Sequence, residues 1–154
     1  MAQKENNIIP MIFDEAFYRK MATQKWRQQD YKKAAEYYEK VLELSPKDFD
    51  IQQHYAQCLV KLNIGKKAER LFYENIVKDF HVAESFYELS QLNIELNEPN
   101  KAFLFGINYV ILSEDKDFRE MLEKTFEVTY TNEQKIELEA QLFSTQLLVQ
   151  LLFS

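Results

Sequence analysis

Glycine and proline are scarce in this chain, whose 154 residues include only two Gly and three Pro. Folds with many tight turns depend on these two residues, so a β-sandwich or a β-barrel is disfavoured. No alternating apolar and polar run is long enough to predict a strand. Hydrophobic residues still make up 46% of the chain, which is typical of a globular protein. The sequence therefore predicts an all-α fold.

Other absences restrict the class of function. The net charge is −6, and no basic stripe of the kind that binds nucleic acid is present. No run reaches the roughly 18 apolar residues of a membrane span, and the first residues lack the pattern of a standard signal peptide. The single Cys58 cannot form an internal disulfide and fits a reducing compartment, so we expect a cytoplasmic protein.

The sequence also lacks the groups of residues that carry out catalysis. His54 and His81 are the two histidines, and neither lies in a metal-binding motif. Cys58 lies between apolar residues on a predicted helix and is expected in the core. There is no Gly-rich phosphate loop and no G-x-S-x-G motif. We therefore predict a protein that is not an enzyme and needs no cofactor or metal.

Helix-forming segments separated by short turns fill most of the chain. Asp14 and Asp48 are predicted N-caps, and Pro46 ends one segment. Because short connections force neighbouring helices to run antiparallel, we expect helical hairpins. The predicted helices have approximate bounds 15–29, 31–44, 49–62, 66–78, 81–96, 100–112, 115–130 and 132–154.

A period of 34 residues runs through these segments. The dipeptide Lys-Ala recurs with this spacing, early in the second helix of each hairpin, and a small residue recurs with it in each first helix. Two helices approach within about 8–10 Å only where their side chains are small. We therefore expect Ala22 to face Ala34, Ala56 to face Ala68, and Ser90 to face Ala102.

With this period the chain resembles the tetratricopeptide repeat family. That family has an aromatic, a Leu and a small residue on the first helix, then an Ala, an aromatic, a small residue and a closing Pro on the second. The resemblance covers about residues 15–116, in units 15–48, 49–82 and 83–116. It implies a right-handed α-solenoid of about three stacked hairpins followed by C-terminal helices. The matching residues are Tyr18, Met21, Ala22, Ala34, Tyr38 and Pro46, then Tyr55, Ala56, Ala68 and Phe72, then Phe86, Leu89, Ser90, Pro99 and Ala102.

Three helical positions depart from the family pattern. Gln52 stands where the second unit wants an aromatic residue, and Asn75 replaces a small apolar one. Gly106 replaces a large aromatic residue of the third unit. Either it lets a bulky residue of the next helix, such as Phe118 or Phe126, pack against bare backbone, or it marks a kink without a role.

Segments outside the three units are of two kinds. Residues 1–13 are predicted to be a separate N-terminal segment, and residues 117–154 an extra helix followed by an apolar C-terminal helix. Residues 141–154 leave almost no polar face. Three explanations stay open: this helix begins a further unit of a longer repeat protein, it forms a homodimer contact, or it folds back into the groove.

The resemblance also implies where a partner would bind. In this family the first helices of successive hairpins line a concave groove that holds a peptide or a helix. Trp26 is the expected anchor, unless its ring packs against the N-terminal segment or Val60. If it is an anchor alone, Trp26→Ala should weaken binding and leave the thermal midpoint nearly unchanged. The groove residues carried over by register are Arg19, Thr23, Trp26, Arg27, Gln53, Gln57, Lys61, Tyr87, Gln91 and Glu95.

These observations predict a non-catalytic adaptor that binds a protein or peptide partner. The subtype that grips the acidic C-terminus of heat-shock chaperones is not expected, because Glu84 and Glu88 stand where basic residues are wanted. The acidic balance of the chain favours a basic or apolar partner. Two alternatives stay open: a secretion-type chaperone that dimerises and holds an exported client, and a regulatory repeat domain of a larger enzyme.

Overall fold

The computed structural model describes residues 14–126, and seven helices follow one another in this part of the chain. No strand occurs between residues 14 and 126, so the predicted all-α fold is confirmed. The predicted helix 132–154 and the apolar residues 141–154 lie outside the described residues. The helices are α1 (Glu15–Arg27), α2 (Tyr31–Leu44), α3 (Phe49–Lys61), α4 (Gly65–Val77), α5 (Val82–Glu95), α6 (Pro99–Ser113) and α7 (Lys116–Phe126).

Aspartate side chains define the starts of the first three helices. Asp14, Asp30 and Asp48 each accept a hydrogen bond from the backbone N–H three residues further on, at 2.9, 3.2 and 3.0 Å. Each carboxylate thereby satisfies one of the N–H groups that have no partner within the helix. The two predicted caps are confirmed, and Asp30 is a third that the sequence reading missed.

Neighbouring helices pack as stacked hairpins. The helix α1 packs on α2, α3 on α4 and α5 on α6, and each pair packs on the next. Ser90 Oγ donates a 2.7 Å hydrogen bond to the carbonyl oxygen of Ala102, so these two residues face each other at the crossing of α5 and α6. The small residues of the 34-residue period all have no exposed surface: Ala22, Ala34, Ala56, Ala68, Ser90 and Ala102.

The core follows from this stacking. One continuous cluster of buried side chains runs from α1 to α6, with Phe72 and Phe86 completely buried in it. A smaller cluster around Ile107, Phe118 and Leu122 joins α7 to α6. Because each helix pair buries its apolar surface mainly against its neighbours, the described part of the chain is an all-α helical repeat solenoid.

Gly106 is the point of close approach between α6 and α7. A Cβ atom at this position would lie 2.7 Å from Cδ1 of Leu122 and 2.9 Å from Oγ of Ser90. The first of the two expectations for Gly106 is therefore correct, since a bulky residue packs against its bare backbone. That residue is Leu122, however, and not Phe118 or Phe126.

Candidate partner-binding groove

The first helices of the hairpins, α1, α3 and α5, are joined by side-chain contacts. His81, just before α5, lies 2.5 Å from Asp50 of α3, measured from Nε2 to Oδ1. Two turns further along α3, Gln57 Nε2 donates a 3.2 Å hydrogen bond to Glu88 Oε1 of α5. These contacts hold α3 and α5 side by side, as a groove lined by first helices requires.

At the α1 end, Arg19 is a structural link rather than a free cation. Its Nε donates a 2.8 Å hydrogen bond to Glu15, and its guanidinium also contacts Asp48, the N-cap of α3. Glu15 in turn accepts a 2.8 Å hydrogen bond from the Ser45 hydroxyl. Both carboxylates therefore already neutralise the Arg19 charge, and α1 is fixed to the start of α3.

These contacts shift the pKa values of the two acids. The hydrogen bond from Arg19, helped by the one from Ser45, lowers the pKa of Glu15. Burial raises the pKa of Asp48, but the hydrogen bonds from Arg19 and from the Ile51 backbone outweigh it and lower the pKa overall. The ionised forms are thus the ones that the fold stabilises.

Trp26 has both exposed and packed surface. Its side chain is partly buried against the main core, and its ring centroid lies 5.1 Å from that of Tyr31 in an edge-on arrangement. Thr23 and Arg27 on the same helix are exposed, and the Thr23 hydroxyl donates to the Arg19 carbonyl oxygen at 3.0 Å. Trp26 therefore helps to pack α1 against α2, in addition to any contact that its exposed edge makes with a partner.

Gln53 is not on the groove surface, contrary to the prediction. Only 3% of the residue is exposed. Its Oε1 accepts hydrogen bonds from Asn75 Nδ2 at 2.8 Å and from Ser85 Oγ at 2.9 Å. Its side chain thus joins α3 to α4 and α5 behind the groove. The register of a repeat predicts the face of a helix, but not how deeply the next helix covers it.

The same buried region contains the two departures in the second unit. Gln52 Nε2 donates to Asn75 Oδ1 at 3.0 Å, and Asn75 Nδ2 also donates to the Phe49 carbonyl oxygen at 3.2 Å. Polar side chains are tolerated in a core when their hydrogen bonds are made within it. Gln52 and Asn75 therefore compensate each other where the family has apolar residues.

The α5 end of the groove face is aromatic and acidic. Tyr87 is 37% exposed, and its ring centroid lies 5.2 Å from Tyr109 on α6 and 5.3 Å from Phe118 on α7. Gln91 is half-buried one turn further on, and Glu95 is exposed at the end of the helix. The Tyr87 ring is thus held from behind by two other rings and keeps part of its surface free.

Glu88 lies on the candidate groove side of α5, and the sequence reading did not select it. It is half-buried, and its carboxylate accepts the hydrogen bond from Gln57. Burial raises the pKa of Glu88, while the Gln57 amide and the charge of Lys61 oppose that rise only in part. The signal available in the sequence was its spacing, because Glu84, Glu88, Gln91 and Glu95 recur on one side of a helix.

Other candidate chemical groups lie in structural positions. Cys58 is fully buried, and burial raises the pKa of its thiol to about 12, so the reactive thiolate is disfavoured. His54 stacks on Tyr38 with ring centroids 5.9 Å apart. Within residues 14–126 there is no group of three side chains that could hold a metal ion. No helix in that part of the chain is long and apolar enough to cross a membrane.

Stacked helical hairpins with buried small residues at each crossing define an all-α helical repeat protein. The family model of the tetratricopeptide repeat matches residues 25–72, from the end of α1 into α4. This match confirms the resemblance over residues 25–72. Such repeats generally mediate protein–protein interaction, and the fold is typically a non-catalytic scaffold. No curated protein and no solved structure matches the chain significantly.

Proposed function

We propose that this protein is a non-catalytic adaptor that binds a segment of another protein along the groove face, within three repeat units at 15–48, 49–82 and 83–116. The groove face is formed by α1, α3 and α5. Its members that keep exposed or half-exposed surface are Arg19, Thr23, Trp26, Arg27, Gln57, Lys61, Tyr87, Glu88, Gln91 and Glu95.

The observation that carries this proposal is the setting of Tyr87. An aromatic side chain that is partly exposed and held rigid by its neighbours is the kind of residue that anchors protein interfaces. Tyr87 is backed by Tyr109 and Phe118, whose own rings lie 4.9 Å apart. Little side-chain freedom remains to be lost when a partner covers its free surface.

Charge reversal on exposed groove residues tests the proposal. The double variant Arg27→Glu, Lys61→Glu changes the ends of α1 and α3 without touching the core. A matched control is Lys32→Glu, Lys33→Glu, which alters the net charge by the same amount on the exposed surface of α2. Both double variants should keep the helical circular dichroism of the wild type.

Pull-downs from an extract of the native host with the three proteins then give the readout. We expect a partner that the wild type and the α2 control recover equally and that the groove variant recovers in a clearly different amount, less where the partner contacts Arg27 or Lys61 and more where a basic segment meets the added carboxylates. Equal recovery with all three proteins, or loss with the control as well, would contradict binding in the groove.

The narrower roles stay predictions. No observation on residues 14–126 favours the secretion-type chaperone or the regulatory domain over the adaptor. The chaperone hypothesis predicts a dimer in solution and co-purification of an unfolded client, so a monomer by light scattering would count against it. The cytoplasmic location, the apolar partner and the homodimer through the C-terminal helix likewise remain predictions.

A further inference from the structure

The groove-facing side of α5 carries three carboxylates and no cation. Glu84, Glu88 and Glu95 lie on one stripe of the helix together with Tyr87 and Gln91, and the helix contains no Lys or Arg. Within the described part of the chain, no Lys, Arg or His nitrogen lies within 4.0 Å of any of the three carboxylates. This stripe differs from α1, where Arg19 is paired with two acids.

Glu88 is the member of this stripe with the most defined geometry. Gln57 Nε2 holds its Oε1, and within residues 14–126 its Oε2 is neither hydrogen-bonded nor fully buried. The preceding residue in the helix is Tyr87, whose ring is partly exposed. The charge of Lys61 acts on Glu88 only from beyond 4.0 Å, so this half-buried carboxylate with one neutral donor is incompletely compensated for the water it has lost. This deficit is relieved when a positive charge reaches Oε2.

A second unsatisfied group lies where α3 meets α5. Nε2 of Gln53 is a buried donor without an acceptor, although Oε1 of the same side chain accepts from Ser85. Ser85 is three residues before Glu88 on α5, and Gln53 is four residues before Gln57 on α3. This donor lies below the groove surface, since only 3% of Gln53 is exposed, so Glu88 Oε2 is the group at this contact that a bound segment reaches.

We infer that the segment bound in the groove is basic, and that one of its lysine or arginine side chains lies against the Tyr87 ring with its charged nitrogen donating to Glu88 Oε2. This inference rests on the proposed function and names the chemistry of its partner. A hydrogen bond between ionised groups is stronger than a neutral one, and a cation over an aromatic face is attracted to the ring. The net charge of −6 adds a long-range attraction for a basic segment.

Other occupants fit this stripe less well. An acidic segment would bring like charges against Glu84, Glu88 and Glu95. A purely apolar segment would cover Glu88 and remove the water that still reaches Oε2, which leaves a buried charge without a partner. Only a positively charged segment improves the electrostatics of the stripe as it covers the Tyr87 ring.

Two labelled peptides test the inference on the full chain. The first is a 12-residue Leu- and Ser-containing peptide with three arginines, and the second has citrulline, a neutral isostere, at the same three places. Fluorescence anisotropy at physiological salt should show the arginine peptide binding at least about tenfold more tightly. Glu88→Gln should weaken binding of the arginine peptide by about tenfold, the loss expected when a charged partner of a hydrogen bond becomes neutral, and should leave the citrulline peptide unaffected.

Glu36→Gln is the matched control, because it makes the same change in charge at an exposed residue of α2. It should leave both affinities within about twofold of the wild type. Equal binding of the two peptides, no binding of the arginine peptide, or equal losses in Glu88→Gln and Glu36→Gln would overturn the inference. A partner that depends on Arg27 and Lys61 but not on Glu88 would leave the groove function standing and remove only its basic specificity.

Discussion

Gln52 and Asn75, the two polar residues that replace apolar ones in the second unit, hydrogen-bond each other inside the protein. The distance from Gln52 Nε2 to Asn75 Oδ1 is 3.0 Å, and both residues are at most 5% exposed. Asn75 also donates to Gln53, so one amide connects two successive residues of α3 to α4. Gln52 and Asn75 thus satisfy each other's hydrogen-bonding groups. The effects of mutating them on the free energy of unfolding should therefore not be additive.

Asn75→Ala should lower the free energy of unfolding by about 2 kcal/mol, because it removes the donor to Gln53 and leaves the buried Gln52 amide with only its long 3.4 Å hydrogen bond to the Leu71 carbonyl oxygen. The double variant Gln52→Leu, Asn75→Ala should lose clearly less than the two single variants together. Urea denaturation of the four proteins gives the coupling energy. Strict additivity would show that the hydrogen bond contributes nothing.

Gly106→Ala should destabilise the protein even though alanine favours helix by about 1 kcal/mol over glycine. The added methyl group would overlap with Leu122 and Ser90, and overpacking typically costs about 1–3 kcal/mol. The loss should shrink when the same change is made in a Leu122→Ala background, because the closest contact is then absent. Thermal denaturation of this set measures the effect, and a more stable Gly106→Ala variant would contradict the packing of α7 on α6.

Arg19 lowers the pKa values of Glu15 and Asp48, and these lowered values predict that the stability of the fold depends on pH. Their ordinary values are 4.5 and 3.8. A lowered pKa in the folded state means that the stabilisation is fully present above these values and is lost as the pH falls through the folded-state values. Arg19→Gln should therefore lower the thermal midpoint at pH 7, and its difference from the wild type should shrink as the pH falls below the ordinary values of the two acids. A difference between the two proteins that stays constant with pH would contradict this electrostatic link.

Trp26→Ala should lower stability as well as weaken binding. The expectation of an unchanged thermal midpoint applied to a ring that contacts solvent and partner alone, but this ring packs on the core and on Tyr31. For a half-buried ring the loss should be about 1–3 kcal/mol, below the range measured for fully buried aromatics. Trp26→Phe should recover part of that loss in the same denaturation experiment. A Trp26→Ala protein as stable as the wild type would restore the anchor-only interpretation.

Features that repeat or act locally were predictable from the sequence. The Asp14 and Asp48 caps depend on residues three positions apart, and the buried alanines depend on a fixed period, so no coordinates were needed for either. Leu122 at Gly106 was missed because the choice among Leu122, Phe118 and Phe126 depends on the rotation of α7 about its axis. Periodicity does not determine that rotation once the repeat register is lost after residue 116.

The candidate site was less predictable than the fold. Register assigned Gln53 to the groove, yet the hydrogen bonds from Asn75 and Ser85 hold its side chain below the surface. Glu88 was used only to exclude one type of partner, because its half-burial and its contact with Gln57 arise from the distance between α3 and α5. How deeply a side chain is buried, and which side chain of a neighbouring helix it contacts, depend on the tertiary structure. Neither can be read from the repeat register of one sequence.

Backbone amide chemical shifts of the isotopically labelled full chain, recorded during titration with the arginine peptide, test the central claim most directly. We predict that the largest shift changes fall on α3 and α5, around Gln57, Tyr87 and Gln91, and extend to α1. Shift changes concentrated on the outer surfaces of α2, α4 or α6, or spread evenly over the chain, would contradict binding along the groove face.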